Sequence, residues 1–267
     1  MTKPRGSLAV VGSGIESTGQ MTPAARREIE RAQELFYLVS DPLTPARLHE
    51  LNPRAQSLHH LYAPGKHRLR TYAAIVERVL AEVRRGKRVC LVLYGHPGVF
   101  ALPGHAAVRR AQDEGYRASM LPGVSADACM IADLNVDPSN GWQAYEATDF
   151  LLRNRRPDPQ VSLVLWQVGA IGRFDYPAPH ADPAKVKVLS ERLAKTYSPR
   201  HKGLLYEASI LPGFDPVIDE VALGKLHRAK VSVGTTLYVP PERRAVIDPK
   251  MLRKLGIKPE DRIGCLR

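Results

Sequence analysis

The sequence contains little cysteine, few aromatic residues and no long apolar run. Its three cysteines, Cys90, Cys129 and Cys265, lie far apart among 267 residues and form no CxxC pair. They cannot all pair with one another, which excludes a small disulfide scaffold and predicts a reducing, cytoplasmic context. The longest apolar run, residues 89–94, is far shorter than the roughly 20 residues that a membrane helix needs. We therefore expect no membrane segment.

Several common catalytic motifs are also absent. The chain has no HExxH, no GxSxG and no GxxxxGK[ST], and Ser17 stands where a GxGxxG motif would have its third glycine. These absences argue against a zinc protease, an α/β-hydrolase, a P-loop nucleotidase and a dinucleotide-binding Rossmann protein. The nine histidines show no metal-ligand spacing, so the sequence predicts no metal site.

Acidic residues are outnumbered by basic ones. Lys and Arg total 39 against 27 Asp and Glu, which gives a formal net charge of +12. The 44% of hydrophobic residues is ordinary for a globular protein and excludes a mainly disordered chain. The excess positive charge indicates an anionic partner, which could be nucleic acid, an acidic peptide or a membrane surface. The alternative is a basic composition that serves no particular partner.

Strand and helix patterns alternate along the first half of the chain. Apolar runs at residues 7–11, 35–39 and 89–93 predict buried strands, and apolar residues at helical spacing predict a helix over 71–85. Thr22 followed by Pro23 is typical of a helix N-terminus. Strands that alternate with helices predict an α/β fold with a parallel sheet.

The second half restarts with a predicted strand at residues 161–168. Further strands are predicted at 203–208 and 231–239, with a helix at 183–195. The intervening stretch, residues 135–160, is rich in breakers and charge, which favours a domain connection over a long internal loop. We therefore expect two domains, residues 1–145 and 146–267.

Three glycine-containing loops follow predicted strands in the first half. They span residues 12–14, 94–100 and 121–127. Open α/β sheets bind ligands at the carboxyl ends of their strands, and glycines there let the backbone approach a ligand closely. Each loop alone could be an ordinary turn, but the three together predict a binding pocket.

A segment between two tyrosines could supply acid–base chemistry. Tyr62 precedes a Pro-Gly loop and several cations, and Arg68 and Tyr72 stand four residues apart, so they share a face if a helix begins there. An arginine can lower the pKa of a neighbouring tyrosine, which could then act as a base, and can hold a developing oxyanion. The alternative is a solvated basic helix start with a packed tyrosine.

Together these motifs resemble the tetrapyrrole methylase superfamily of S-adenosylmethionine-dependent methyltransferases. The resemblance covers the whole chain and rests on residues 10–14, 94–98, 122–126, 164–167 and 235–241. It implies two α/β domains, a methyl-donor site in the cleft between them, and a homodimer. Within the superfamily the chain is similar to the borosin α-N-methyltransferases, which methylate backbone amides of a ribosomally made precursor peptide. The Tyr-Gly-His-Pro-Gly-Val-Phe loop carries this closer similarity.

The borosin resemblance implies roles for individual residues. Tyr62, Arg68 and Tyr72 fit its catalytic pattern, with Tyr94 as a further catalytic residue and Arg70 as a competitor for the place of Arg68. The cofactor it implies is S-adenosyl-L-methionine, with no metal. The residues that it implies for cofactor binding are Tyr94, His96, Val99, Phe100, Ser125, Ala126, Gln167, Ala208, Gly234 and Thr235.

The sequence ends at Arg267 without an apolar core peptide. It therefore resembles the bacterial split type, and we expect a separate precursor peptide as substrate and no nucleic acid. The alternatives within the superfamily are methylation of ribosomal RNA ribose or of a corrinoid precursor. A non-enzymatic nucleic-acid-binding module is the alternative from another class, but the sequence lacks interleaved aromatic and basic residues.

Overall fold

The computed structural model describes residues 6–17, 19–175 and 180–258, which form two compact units. The first unit is drawn from Met1–Asp133, Phe174–Tyr176 and Ala208–Pro216. The second is drawn from Leu134–Arg173, Pro177–Glu207 and Val217–Arg267. Each unit has its own five-stranded sheet, so the predicted α/β fold with two α/β parts is confirmed. The division between residues 145 and 146 stays a prediction.

The first unit is a parallel sheet with helices packed on it. Its strand order is β3-β2-β4-β1-β5, and every described pairing is parallel. The interior strand β1 is paired with β4 from Ser7 opposite Arg88 and with β5 from Ser7 opposite Arg117. The elements in chain order are β1 (Ser7–Gly12), α1 (Pro23–Arg31), β2 (Glu34–Leu38), α2 (Thr44–Leu51), β3 (Ala55–Ser57), α3 (Arg68–Arg84), β4 (Arg88–Leu93), α4 (Leu102–Asp113), β5 (Arg117–Met120) and α5 (Ala126–Asp133).

Local sequence explains where these helices begin. The hydroxyl of Thr22 accepts a hydrogen bond from the amide of Ala25 at 3.1 Å, and Pro23 is the first residue of α1, as predicted. The helix predicted over 71–85 begins three residues earlier, at Arg68, where the ring of His67 accepts from the amide of Leu69. This earlier start brings Arg68 and Tyr72 onto the same helix.

The second unit is a mixed sheet. Its strand order is β6-β7-β10-β8-β9, in which only β6 and β7 run parallel among the described pairs. Both edge strands, β6 and β9, carry polar side chains. The elements are β6 (Trp142–Glu146), α6 (Ala147–Leu152), β7 (Ser162–Trp166), α7 (Pro183–Leu193), β8 (Lys202–Glu207), β9 (Val217–Ala222), β10 (Thr236–Val239) and α8 (Pro249–Leu255).

The structure corrects the interpretation of residues 135–160 as a connection. This stretch contains β6 and α6, where the carboxylate of Glu146 accepts from the amide of Asp149 at 2.7 Å and the rings of Tyr145 and Phe150 pack at 5.9 Å. The strand predicted over 231–239 begins only at Thr236, because residues 232–235 form a turn. Neither α2 nor β9 was predicted.

Two of the three cysteines lie in the described chain, and both Cys90 and Cys129 are free thiols. Cys265 lies outside the described residues. Over the part of the chain that the structure describes, no helix is long and apolar enough to cross a membrane. Within the same residues, no three histidine, cysteine or acidic side chains group as a metal site would require.

Candidate functional site

The three glycine loops of the first unit meet around Gly95. The amide of Gly95 donates to the carbonyl of Gly14 at 2.9 Å, and the amide of Gly14 donates back at 3.3 Å. A Cβ atom on Gly12 would lie 2.1 Å from the carbonyl oxygen of Gly95, and one on Gly123 would lie 2.9 Å from it. Only glycine permits this approach. The loops at 12–14, 94–100 and 121–127 therefore form one cluster at the carboxyl ends of β1, β4 and β5.

Tyr94 begins the middle loop directly after β4. Its amide donates to the carbonyl of Leu38 at the end of β2, at 3.0 Å. Burial, followed by the charges of Cys129 and Asp41, raises the pKa of its phenol to about 12. A phenol is protonated at neutral pH even at its ordinary pKa, and this shift moves Tyr94 further from ionisation, so its hydroxyl can donate a hydrogen bond.

His96 closes the same loop into a turn. Its Nδ1 atom accepts from the amide of Gly98 at 3.0 Å, and its carbonyl accepts from the amide of Val99 at 3.1 Å. On the far side, Nε2 of His105 binds the carbonyl of Gly98 at 2.9 Å. Because the Nδ1 atom of His96 is an acceptor here, a neutral ring carries its proton on Nε2. His96 and Val99 are thus held in place by contacts within the loop.

Two of the predicted cofactor residues have strained backbones. Phe100 has φ +52°, and Gln167 has φ +57°, which is the left-handed region. Elsewhere in the described chain, only Asn135 and Asn154 combine a side chain with positive φ, and asparagine tolerates this conformation. Strained residues of other types cluster at functional sites, where the surrounding structure holds them. Phe100 is 46% exposed despite its size.

Ser125 and Ala126 form the third loop's junction with α5. Ser125 is buried, its hydroxyl donates to the carboxylate of Asp127, and its carbonyl accepts from the amide of Cys129 at 3.1 Å. Ala126 is the first residue of α5. The helix thus begins at the loop cluster, with its first backbone amides at the same sheet edge.

The tyrosine–arginine segment also belongs to the first unit. Tyr62 and Tyr72 are half-buried and pack against the same apolar core, which lies between the sheet and helices α3 and α4. Arg68 is half-buried at the first position of α3, whereas Arg70 is exposed. The amide of Arg68 donates to the carbonyl of Phe174 at 2.7 Å. The structure therefore brings Arg68 and Tyr72 onto consecutive turns of one helix, with Tyr62 on the loop before it.

Phe174 anchors the start of this helix a second time. Its ring stacks on the ring of His67, with centroids 5.8 Å apart and planes 2° from parallel. A side-chain contact also holds the loop before the helix, since the Lys66 ammonium donates a hydrogen bond to the carbonyl of Leu61 at 2.8 Å. The position of Arg68 is thus fixed by backbone and ring contacts on both sides.

The predicted residues of the second unit gather around a carboxylate. Oε1 of Glu207 accepts from the hydroxyls of Ser232 and Thr235, each at 2.5 Å, and the carbonyl of Thr235 accepts from the amide next to Gln167 at 3.2 Å. Gly234 lies in the same turn, where its amide donates to the Ser232 hydroxyl. Ala208, the next residue after Glu207, groups with the first unit.

Ser232 was not among the predicted site residues, whereas residues 206–208, which include Glu207, were expected at the donor pocket. Glu207 is the last residue of β8, at the carboxyl end of a strand, where ligands bind in α/β sheets. That position was the signal available in the sequence. No signal in the sequence pointed to Ser232, because its role depends on a turn within a stretch that was predicted to be strand.

The chain is similar to several proteins of known class. Residues 7–201 match the family described as Tetrapyrrole (Corrin/Porphyrin) Methylases. Over 267 residues the chain is 44% identical to the methyltransferase/ribosomally synthesized cyclic peptide dendrothelin A precursor of Dendrothele bispora, covering 98% of this chain and 64% of that protein. It thus spans less than two thirds of that relative's length.

A second relative and a solved structure agree with this family. The chain is 40% identical over 263 residues to a methyltransferase/ribosomally synthesized type I borosin cyclic peptide precursor of Coprinopsis marcescibilis, covering 94% of this chain and 67% of that protein. The crystal structure of uroporphyrin-III-C-methyltransferase from Thermus thermophilus has a TM-score of 0.62 at 21% identity, covering 89% of this chain and 93% of that one. This last likeness shows the fold alone.

Proposed function

Because the chain belongs to the tetrapyrrole (corrin/porphyrin) methylase family, we propose that it methylates backbone amide nitrogens of a ribosomally made peptide, with S-adenosylmethionine as the methyl donor. The observation that carries the proposal is the segment from Tyr62 to Tyr72. It presents a half-buried guanidinium, that of Arg68, on the same helix as Tyr72 and beside the loop of Tyr62. The borosin-type relatives support the same substrate class.

The residues present fit the methyl donor. The loop cluster around Gly95 lies at the carboxyl ends of three parallel strands, where Ser125 precedes α5 and Ala126 begins it. Phe100 and Gln167 have strained backbones, and such strain is common at ligand-binding sites. In the second unit the Glu207 carboxylate can accept from hydroxyl or ammonium groups. When bound, S-adenosylmethionine supplies an electrophilic methyl group on a cationic sulfur.

An amide nitrogen is a poor nucleophile because its lone pair is delocalised into the carbonyl group. In the proposed mechanism the phenolate form of Tyr62 or of Tyr72 accepts the N–H proton, and the amide nitrogen would bond to the methyl group as the donor's S–C bond breaks. Before that transfer, the negative charge left on the amide is shared with its carbonyl oxygen. The Arg68 guanidinium and the Tyr94 phenol donate hydrogen bonds to that oxygen. The raised pKa of Tyr94 supports this division of roles, because a protonated phenol can donate.

We further propose that the precursor peptide is a separate protein, and that the enzyme is a cytoplasmic homodimer. The resemblance to the tetrapyrrole methylase superfamily supports the homodimer. The net charge of +12 also supports recognition of an acidic segment in the precursor. Light scattering tests the dimer: a mass of one 29.6 kDa chain at micromolar concentration would contradict it.

Mass spectrometry of a peptide incubated with the protein and S-adenosylmethionine tests the proposed activity. We expect mass increases of about 14 Da per methyl group, located by fragmentation to backbone nitrogens. Calorimetry should show S-adenosylmethionine or its demethylated product binding the protein. Donor binding with transfer only to ribosomal RNA or to a corrinoid precursor would favour those alternatives, and absence of donor binding would exclude the methyltransferase altogether.

A further inference from the structure

Glu207 lies at the centre of a hydrogen-bonded network in the second unit and takes no step in the mechanism above. It is the last residue of β8 and is half-buried. Its Oε1 atom accepts from the hydroxyls of Ser232 and Thr235, each at 2.5 Å. A hydrogen bond to an ionised acceptor is shorter and about twice as strong as one between neutral groups. Two such bonds on one oxygen fix the turn at residues 232–235 to the end of β8.

The carboxylate also sets the direction of both hydroxyl groups. A hydroxyl carries one proton, and in each case that proton points to Glu207. The lone pairs therefore face the backbone: the Ser232 hydroxyl accepts from the amide of Gly234 at 3.0 Å, and the Thr235 hydroxyl accepts from the amide of Ser232 at 2.9 Å. Without an acceptor at residue 207, both hydroxyls would be free to rotate and to release these amides.

Little apolar packing holds the tip of this turn. Val233 and Gly234 at the tip are exposed, whereas Thr235 at its end is only 1% exposed. The start of the turn is packed against the segment that follows β7, since a Cβ atom on Gly169 would lie 1.8 Å from the carbonyl oxygen of Ser232. The order of the tip therefore depends on hydrogen bonds, and two of those in the turn end at Glu207.

The turn also holds the residue beside Gln167. The amide of Val168 donates to the carbonyl of Thr235 at 3.2 Å. Gln167 itself has φ +57°, and a side chain keeps such a backbone conformation only where the surrounding structure holds it. A chain of contacts therefore runs from the Glu207 carboxylate, through the hydroxyl and the carbonyl of Thr235, to the strained backbone at Gln167.

We propose that Glu207 is a positioning residue for the methyl donor: its carboxylate holds the turn at 232–235, and through it Gln167, in the arrangement that binds S-adenosylmethionine. This inference rests on the proposed function, in which Gln167, Gly234 and Thr235 are donor residues of the second unit. Glu207 acts through them and makes no contact with the donor. A site that is in its binding arrangement for only a fraction of the time has its affinity reduced by that fraction.

Two variants at residue 207 test the inference. Leucine removes the acceptor at similar size, whereas glutamine keeps one oxygen for both hydroxyls and replaces only the second carboxylate oxygen with an amino group. We expect calorimetry to show donor binding about tenfold weaker in Glu207→Leu, as for a site that is ordered about a tenth of the time. Glu207→Gln should restore donor affinity to within about threefold of wild type, because its neutral oxygen accepts more weakly than a carboxylate.

Ser190→Ala is the matched control for a loss of stability alone. The Ser190 hydroxyl is buried in the same unit and donates to the carbonyl of Leu223, outside the turn. Its removal should lower the temperature of thermal unfolding and leave donor affinity unchanged.

Amide hydrogen exchange of the protein without donor gives a readout that does not depend on activity. The amides to follow are those of Gly234 and Val168, which donate to the Ser232 hydroxyl and to the Thr235 carbonyl. In Glu207→Leu both should exchange about tenfold faster, while amides within β7 keep their wild-type rates. If Glu207→Leu does not fold, Ser232→Ala replaces it, because that variant removes one of the two hydroxyls bound to the carboxylate.

Wild-type donor affinity in Glu207→Leu would overturn the inference. Weaker donor binding with unchanged amide exchange, or equal losses in Glu207→Gln and Glu207→Leu, would overturn it as well, since either result would mean that the carboxylate contacts the donor directly. A wild-type protein that binds no S-adenosylmethionine defeats the proposed function instead, and the exchange rates still decide whether Glu207 holds the turn.

Discussion

Two arginines in the segment from Tyr62 to Tyr72 differ in burial and contacts although they stand only two residues apart. The sequence favours Arg68 and leaves Arg70 as a competitor. In the structure Arg68 is half-buried and its amide donates to the carbonyl of Phe174, whereas Arg70 is exposed. The resemblance implied roles for Tyr62, Arg68, Tyr72 and Tyr94, with Arg70 as a competitor of Arg68, and these roles stay predictions. It did not imply Ser232, whose hydroxyl reaches Glu207 from a turn within a stretch that was predicted to be strand.

Replacement of Arg68 by alanine should abolish most methylation while leaving donor affinity nearly unchanged. A charge stabiliser removed from a site with little water costs on the order of 3 kcal/mol, a rate loss of more than a hundredfold. Single-turnover assays with a precursor peptide and calorimetry with the donor measure the two effects. Arg70→Ala is the matched control and should have little effect. The opposite result would show that the arginine was assigned two residues out of register.

Phenylalanine substitutions separate the two candidate bases. Tyr72→Phe and Tyr62→Phe each keep the ring that packs against the core and delete the hydroxyl, so stability should change little. The substitution at the base should reduce the methylation rate by a factor of about 10²–10⁴. Thermal unfolding confirms that each variant is folded. Wild-type methylation rates in both variants would show that neither tyrosine is the base and that the segment is only a basic helix start.

Among the helices and strands, the buried strands were predicted from the sequence and the exposed edge strands were not. Strands β1 and β4 are buried on both faces, so their apolar runs stood out. Strand β9 is an edge strand whose exposed residues include Asp219 and Glu220, and β6 lies at the opposite edge among breakers. Edge strands carry polar residues that hide their periodicity. Helix α2 was missed for a different reason, because it is only eight residues long, although its Thr44-Pro45 start resembles the Thr-Pro start of α1.

Gln167→Gly should stabilise the protein slightly and weaken donor binding. Glycine removes about 1–2 kcal/mol of left-handed strain, partly offset by the greater freedom of the unfolded chain, so the net gain is about 1 kcal/mol or less. The loss of the side chain lowers donor affinity if Gln167 contacts the donor. Thermal unfolding and calorimetry measure the two changes.

The control for that substitution is Asn154→Gly. Asn154 has φ +51° but is exposed, just beyond the C-terminus of α6. It should tolerate glycine with no change in donor affinity. Equal donor affinity in Gln167→Gly and the wild type would remove Gln167 from the donor site.

For the whole molecule, composition allowed predictions about fold class and charge but not about sheet arrangement. The alternation of strands and helices predicted the α/β class, and the first sheet is parallel as expected. The second sheet is largely antiparallel, because β10 pairs antiparallel with both β7 and β8, and β8 pairs antiparallel with β9. Whether a sheet is parallel or antiparallel depends on which strands become neighbours, and no local sequence pattern predicts that pairing.

Affinity for an acidic precursor should fall as salt concentration rises. A protein with net charge +12 attracts an acidic segment electrostatically. Salt shortens the Debye screening length of this attraction from about 10 Å at 0.1 M to about 3 Å at 1 M. Fluorescence anisotropy of a labelled precursor between 0.05 and about 0.5 M NaCl measures this. A precursor with its acidic residues replaced by glutamine and asparagine is the control. Salt-independent binding would show that docking is mainly apolar.

The position of β1 between β4 and β5 in the parallel sheet also has a consequence for synthesis on the ribosome. Ser7 of β1 pairs with Arg88 of β4 and Arg117 of β5, which are made 88 − 7 = 81 and 117 − 7 = 110 residues later. At about 5–20 residues per second, β1 waits on the order of 5–20 s before both neighbours exist. Throughout that time one of the most apolar stretches of the nascent chain has no sheet to join. We therefore expect the first 120 or so residues to be the stretch in which growing chains most need chaperones.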